Sequence, residues 1–160
     1  MNADTLIETV RDAVATDDDL SAWCTAQFGA LPTVYVDVDE ASPPDEGDYP
    51  LIALHSHVRS GGTSKNAMVW ELDFGCGVFN ATRSDTETAG GVTVRTYTGM
   101  LQAARLAELV ERAAIGALAG VIRNATFSSQ CGQISEYPFF AAFTTLTAEQ
   151  VYTSRSSRFS

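Results

Sequence analysis

The chain has 160 residues, 45% of them hydrophobic, which suits one closed core better than two ordinary domains. Twenty acidic against ten basic residues leave a net charge of −10 and a pI near 4.4. Tight nucleic-acid binding needs clustered Lys and Arg to release counterions from phosphate, so a sequence-specific nucleic-acid binder is not expected.

From the N-terminus, Leu6, Ile7, Val10, Ala13 and Val14 recur at the spacing of a helix with one buried face, over about residues 4–15, with Asn2 or Asp4 as its cap. Thr16-Asp-Asp-Asp19 has the form of a capping box, which reads as the start of a second helix, about 17–29, rather than as a metal site. Leu20, Trp23, Cys24 and Phe28 form that helix's apolar stripe, and Gly29 is placed to end it. Val34, Val36 and Val38 then alternate with Tyr35, Asp37 and Asp39, predicting a strand with three valines on the core. Two adjacent prolines and four acids between Glu40 and Asp48 predict an irregular, solvated loop, which Tyr49-Pro50 returns to a sheet.

A second strand, about 51–58, places Ile52, Leu54 and Val58 on one face and Leu51, Ala53, His55 and His57 on the other. It is expected to pair as a hairpin with the alternating run Met68, Trp70, Leu72, Phe74, Cys76 and Val78, through a polar tip from Arg59 to Lys65. Residues 80–91 read as a polar insert with a turn at Gly90-Gly91, and 92–98 as a further strand. Met100–Val121 is the clearest helix: Ala103, Leu106, Val110, Ala113, Ala117 and Val121 make one stripe, opposite Arg105, Glu108, Glu111 and Arg112. Glu108 and Arg112 stand at the favourable i to i+4 spacing. The last strand, about 137–147, is apolar on both faces, as suits a central position or a contact between subunits. A single domain over 1–152 and a flexible basic tail, 153–160, complete the expected organisation.

Little of this carries chemistry. His55 and His57 are spaced to share a metal ion on a strand, with Asp37 and Asp39 as conceivable further ligands, but solvent-facing or interface histidines are the expected reading. Ser60-Gly-Gly-Thr-Ser-Lys65 lacks the glycine spacing and following helix of a phosphate loop. Gly75-Cys76-Gly77 suggests a bulge or a close approach, and Cys76 falls in phase with core residues rather than as a nucleophile. Cysteines 24, 76 and 131 include no C-x-x-C pair and are expected to be buried thiols. With no signal-like start and no apolar run near the roughly 18 residues of a membrane span, a cytosolic chain is expected. No catalytic residue, cofactor or metal is assigned, and the chain is not expected to be an enzyme.

The order of segments resembles the phage tail terminator family, the tail-completion proteins of the lambda type. The likeness runs through Thr5–Val14, the acid-rich turn before Leu20, Thr33-Val-Tyr-Val, the Pro- and acid-containing loop to Tyr49–Leu54, the late helix, and Tyr137–Leu146. It departs from that pattern in the polar inserts 59–66 and 80–91 and in the basic tail. The resemblance implies an α+β fold, with N-terminal helices and one long amphipathic helix on a mixed, mainly antiparallel sheet. It further implies a hexameric ring at the head-proximal end of the virion tail, assembled in the host cytoplasm. That ring stops tail-tube polymerisation and docks head-completion or connector proteins, with the tail tube protein and further copies of itself as partners. The acidic balance suits a ring that conducts DNA without holding it. Loop 40–49 and tip 59–66, with Arg59, Lys65 and Arg83, are the expected docking elements. The alternatives are a head-tail joining or other monomeric adaptor module, and a small metal-dependent hydrolase using His55 and His57.

Overall fold

A computed structural model describes residues 3–38, 41–61, 67–122, 124–132 and 137–151. Helices α1 (Ala3–Thr16) and α2 (Asp18–Phe28) precede strand β1 (Thr33–Val36), a single 3-10 turn at Glu46–Asp48, and strands β2 (Leu51–Gly61) and β3 (Ala67–Phe79). Strands β4 (Arg83–Glu87) and β5 (Thr93–Tyr97), helix α3 (Thr98–Leu118), and strands β6 (Asn124–Gly132) and β7 (Phe139–Val151) follow. One sheet has the order β1-β2-β3-β7-β6; β4 and β5 pair only with each other. β1 is parallel to β2 and every other pair is antiparallel. The fold is therefore α+β, with a mixed and mostly antiparallel sheet.

All three α-helices lie on one face of the sheet. Trp70, Leu72, Phe74, Cys76 and Val78 of β3 point there, with Ile52 and Leu54 of β2 and Phe140, Ala142, Leu146 and Ala148 of β7. α3 meets them with Ala103, Leu106, Ala107, Val110, Ala113 and Ala114, and α1 adds Leu6, Val10 and Val14. The alanines let α3 lie close to the sheet, which accounts for their number. β7, apolar on both faces, sits between β3 and β6, inside the sheet as its pattern predicts. Cys24 and Cys76 are buried, as expected, and the side chain of Cys131 lies outside the described residues.

Several expectations are corrected. The cap of α2 is Asp17, whose side chain accepts from the Leu20 amide at 2.7 Å; Thr16 ends α1 and its hydroxyl donates back to the Asp12 carbonyl. Gly29 does end α2, at φ 70°. Of the three valines, Val34 packs on the core while Val36 is 47% exposed. β1 is an edge strand that stops at Val36, and Asp37 turns away at φ 61°. The proline-rich loop includes one 3-10 turn, capped by Asp45 and Asp48. α3 starts at Thr98 and ends at Leu118, which leaves Val121 exposed beyond it. Arg105 pairs with Glu108, and Arg112 reaches Asp19 on α2, so the expected Glu108–Arg112 pair gives way to a contact between helices.

The polar insert at 80–91 contains strand β4, and β6 lies in a segment that shows no strand alternation strong enough to announce it. Both are made by pairing: β4 with β5, and β6 along the outer side of β7. The basic tail falls outside the described residues.

Candidate functional site

Among the described residues the sheet's second face carries no helix, and β2 has a register break. Leu54 pairs with Phe74 but His57 with Leu72, a one-residue shift that ends strict alternation between the two histidines. Position 57 thereby pairs with Leu72 in the backbone ladder, and the His55 ring lies against Gly75. The His57 side chain lies outside the described residues. His55 Nε2 comes within 3.1 Å of where a Cβ on Gly75 would stand, and the Tyr49 ring within 2.8 Å of one on Gly77. The two glycines are thus seats for rings, which confirms the close-approach reading of Gly75-Cys76-Gly77, with regular pairing through all three residues. A shallow hollow of about 390 Å³ beside His55 is lined by Asp73, Thr145, Gln130 and Phe143. There the Thr145 hydroxyl donates to Asp73 at 2.6 Å, and Phe143 is 48% exposed. Among the described residues, no group of three or more His, Cys, Asp and Glu is arranged to hold a metal ion.

A larger groove, about 910 Å³, opens where the β4–β5 ribbon leaves the body. Its floor is a triangle of rings from two segments: Tyr97 at the end of β5, with Tyr137 just before β7 and Phe140 within it. Their centroids lie 5.8 Å apart for Tyr97–Tyr137 and 6.2 Å for the other two pairs, inside the range where edge-to-face packing is favourable. Phe140 can sit there because residue 99 is glycine: a Cβ would stand 2.3 Å from its ring. Met100 and Leu101 of α3 form one wall, Leu101 being 63% exposed.

Arg83 and Arg95 of the ribbon form the other wall. Both reach Asp85: Arg95 grips it through Nε at 3.0 Å and one Nη at 3.1 Å, and Arg83 approaches at 3.5 Å. The hydrogen bond from Arg95, then the charges of Arg83 and Arg95, hold the Asp85 carboxyl below the usual carboxylate value, and Asp85 in turn raises Arg95. Two guanidiniums share one carboxylate, so a positive charge is left over at the groove of an otherwise acidic chain. Glu87 stands two cross-strand pairs further out and does not line it.

Among the described residues, the hydrogen bonds that tie the ribbon to the body lie at its base. Thr98 donates its amide to the Thr82 carbonyl, Asn80 bonds Gln102 at 2.6 Å, and the Tyr137 hydroxyl donates to the Ala81 carbonyl. Beyond that base its residues are exposed apart from half-buried Thr96, with Val92 and Val94 among them.

Of the three basic residues expected to dock, Arg83 is in this groove. Lys65 and the side chain of Arg59 lie outside the described residues, as does most of tip 59–66. In loop 40–49 the described residues 41–48 are exposed or half-buried. Asp45 and Asp48 cap its 3-10 turn from opposite ends, through Gly47 N to Asp45 at 2.8 Å and Asp45 N to Asp48 at 2.9 Å. Burial, then the hydrogen bond to Asp48, pushes up the Tyr35 phenol, which ties the loop to β1. Arg95, Tyr97, Leu101 and the Tyr137–Phe140 pair were not among the expected residues. One signal was present: Asp85 and Arg95 are placed symmetrically about the Gly90-Gly91 turn, as a cross-strand ion pair requires.

Compared with known proteins, the sequence matches no family model, and no curated protein matches it at a significant level.

Proposed function

We propose that this chain is a structural subunit of a virion, resembling the phage tail terminators, and that it forms a ring on the head-proximal end of the tail tube. The ring stops tube growth and offers a surface to head-completion proteins. One observation carries the assembly reading: among the described residues, a two-stranded ribbon stands out from the body with its residues in solvent and its own chain packed at its base. Two strands alone are marginal in water, and exposed Val92 and Val94 add nothing to the core. Such a ribbon is accounted for when a second chain packs on it. A ring needs contacts between unlike patches that close by rotation, and a projecting arm beside a groove supplies two unlike patches. The resemblance in segment order supports the placement on a tail, and the net charge of −10 suits a ring that lets DNA pass.

The test is mass by light scattering, alone and after mixing with purified tail tubes, followed by negative-stain imaging of the tubes. A ring at one tip with tube length fixed is the expected result. A chain that binds no tube at any concentration overturns the tail reading, and a monomer that binds a different virion part points to an adaptor.

A further inference from the structure

The geometry points to a specific contact within that assembly: the aromatic groove of one copy receives the Pro43–Glu46 segment of the next copy. The inference rests on the ring reading for its biological setting, but its chemistry stands on the two surfaces themselves.

The groove offers the exposed rings of Tyr97 and Tyr137, set edge-to-face at 72° over a nearly buried Phe140, and an excess positive charge on the adjoining wall. An occupant must bring a stiff apolar segment for the rings and a carboxylate for Arg83 and Arg95. Proline-containing extended segments meet the first need, because their low conformational freedom lets them dock on aromatic grooves at little entropic cost. The carboxylate meets the second through the planar guanidinium, which takes such groups in a forked geometry.

This chain carries such a segment on its own surface. Pro43 is exposed and Pro44 half-buried, and Glu46 follows them with its side chain in solvent. The segment is held in shape by the Asp45–Asp48 capping box and by Tyr49, whose ring lies on Gly77 and against Phe139 at 5.2 Å. Asp45 and Asp48 are engaged in that box, which leaves Glu46 as the carboxylate to reach the partner's arginines. Groove and loop are different patches of one surface, so each copy can give its loop to one neighbour and take a loop from another.

The test uses the full chain in three forms: wild type, R83E/R95E, and E46R. All three changes are at exposed positions, and circular dichroism with thermal melts checks that the variants fold. Sedimentation at low salt is expected to show each variant associating about tenfold more weakly than wild type, as loss of a buried charge pair at an interface does. An equal mixture of the two variants is expected to recover association, because the E46R loop of one copy then brings a cation to the acidic R83E/R95E groove of the other. Variants that associate like wild type, or a mixture that recovers nothing, overturn the contact.

A second measurement applies when wild type stays monomeric. The peptide Ala-Ser-Pro-Pro-Asp-Glu-Gly-Asp, residues 41–48, is titrated into labelled full chain and amide shifts are followed by NMR. Shifts confined to Tyr97, Leu101, Tyr137, Phe140 and the ribbon are expected. No shift at millimolar peptide, or shifts elsewhere, overturns the proposal. Rings on tail tubes that survive R83E/R95E remove this contact and keep the ring. Loop capture without any binding to tubes removes the tail reading and keeps the contact.

Discussion

β3 and the ribbon that follows it are held together by different physics. Along the strand, Trp70, Leu72, Phe74, Cys76 and Val78 are all nearly inaccessible and belong to the core cluster that helix α3 also lines. Just past its end the chain enters the β4–β5 ribbon, where ladder hydrogen bonds and an exposed Asp85–Arg95 pair hold two strands with almost no buried side chain. The core region stabilises the fold; the ribbon draws its rigidity from its base and from pairing alone. Substitutions in the two should therefore separate stability from association.

The largest contrast pairs Phe74→Ala with Val94→Ala. Phe74 is fully buried, and its truncation is expected to cost ~3–5 kcal/mol in a denaturant titration through lost burial and the cavity left behind. Val94 is exposed on the ribbon, and its truncation is expected to stay within ~0.5 kcal/mol. Equal costs would mean that the ribbon is part of the core after all.

Helix α3 contains a sharper version of the comparison in two glycines. At Gly99 a methyl group would enter the Phe140 ring, so Gly99→Ala is expected to destabilise by ~1–3 kcal/mol and to disturb the groove floor. At Gly116 nothing lies within 4 Å, and Gly116→Ala is expected to stabilise by up to ~1 kcal/mol through helix propensity. Thermal melts of the two variants should move in opposite directions.

Titration distinguishes the regions more gently. Burial raises the Cys24 thiol from 9.0 to about 11. A raised value means the fold favours the protonated form, so this contribution is complete below pH 9.0 and is lost as pH climbs towards about 11. Stability measured across that range should fall, and Cys24→Ala should flatten the decline. Alkylation of the native chain at pH 8 should likewise spare Cys24 until denaturant is added.

The smallest effect belongs to the ribbon. Because Asp85 is depressed, its ion pair with Arg95 persists above the ordinary carboxyl value of 3.8 and is lost as pH falls through the lowered one. A carboxyl NMR titration should place Asp85 below 3.8, and Arg95→Ala should return it towards that value with no measurable change in melting temperature. A shifted melt would show the pair to be structural rather than local.

The sites were legible in proportion to how local their cause is. Arg83 was readable as a docking candidate because it is a cation in a polar insert of an acidic chain. Its companions Arg95, Tyr97, Tyr137 and Phe140 come from two other segments, and no periodicity links residues 83, 97 and 140. The pairing around His55 and His57 was not legible at all: a one-residue register shift falls between Leu54 and His57, and it depends on how β2 meets β3.

By itself the sequence determined what short-range physics controls. The helical stripes of α1, α2 and α3, the αL stop at Gly29, the alternation of β3 and the two-sided character of β7 follow from side-chain period and backbone freedom. Tertiary structure alone decided what depends on partners distant in the chain. β4 and β6 are strands because other strands pair with them, and Val36 is exposed because β1 is an edge. The groove exists because Gly99 admits Phe140 and the ribbon base brings Tyr97 to Tyr137. Propensity acts over a few residues, whereas pairing and close packing are fixed only when the whole sheet closes.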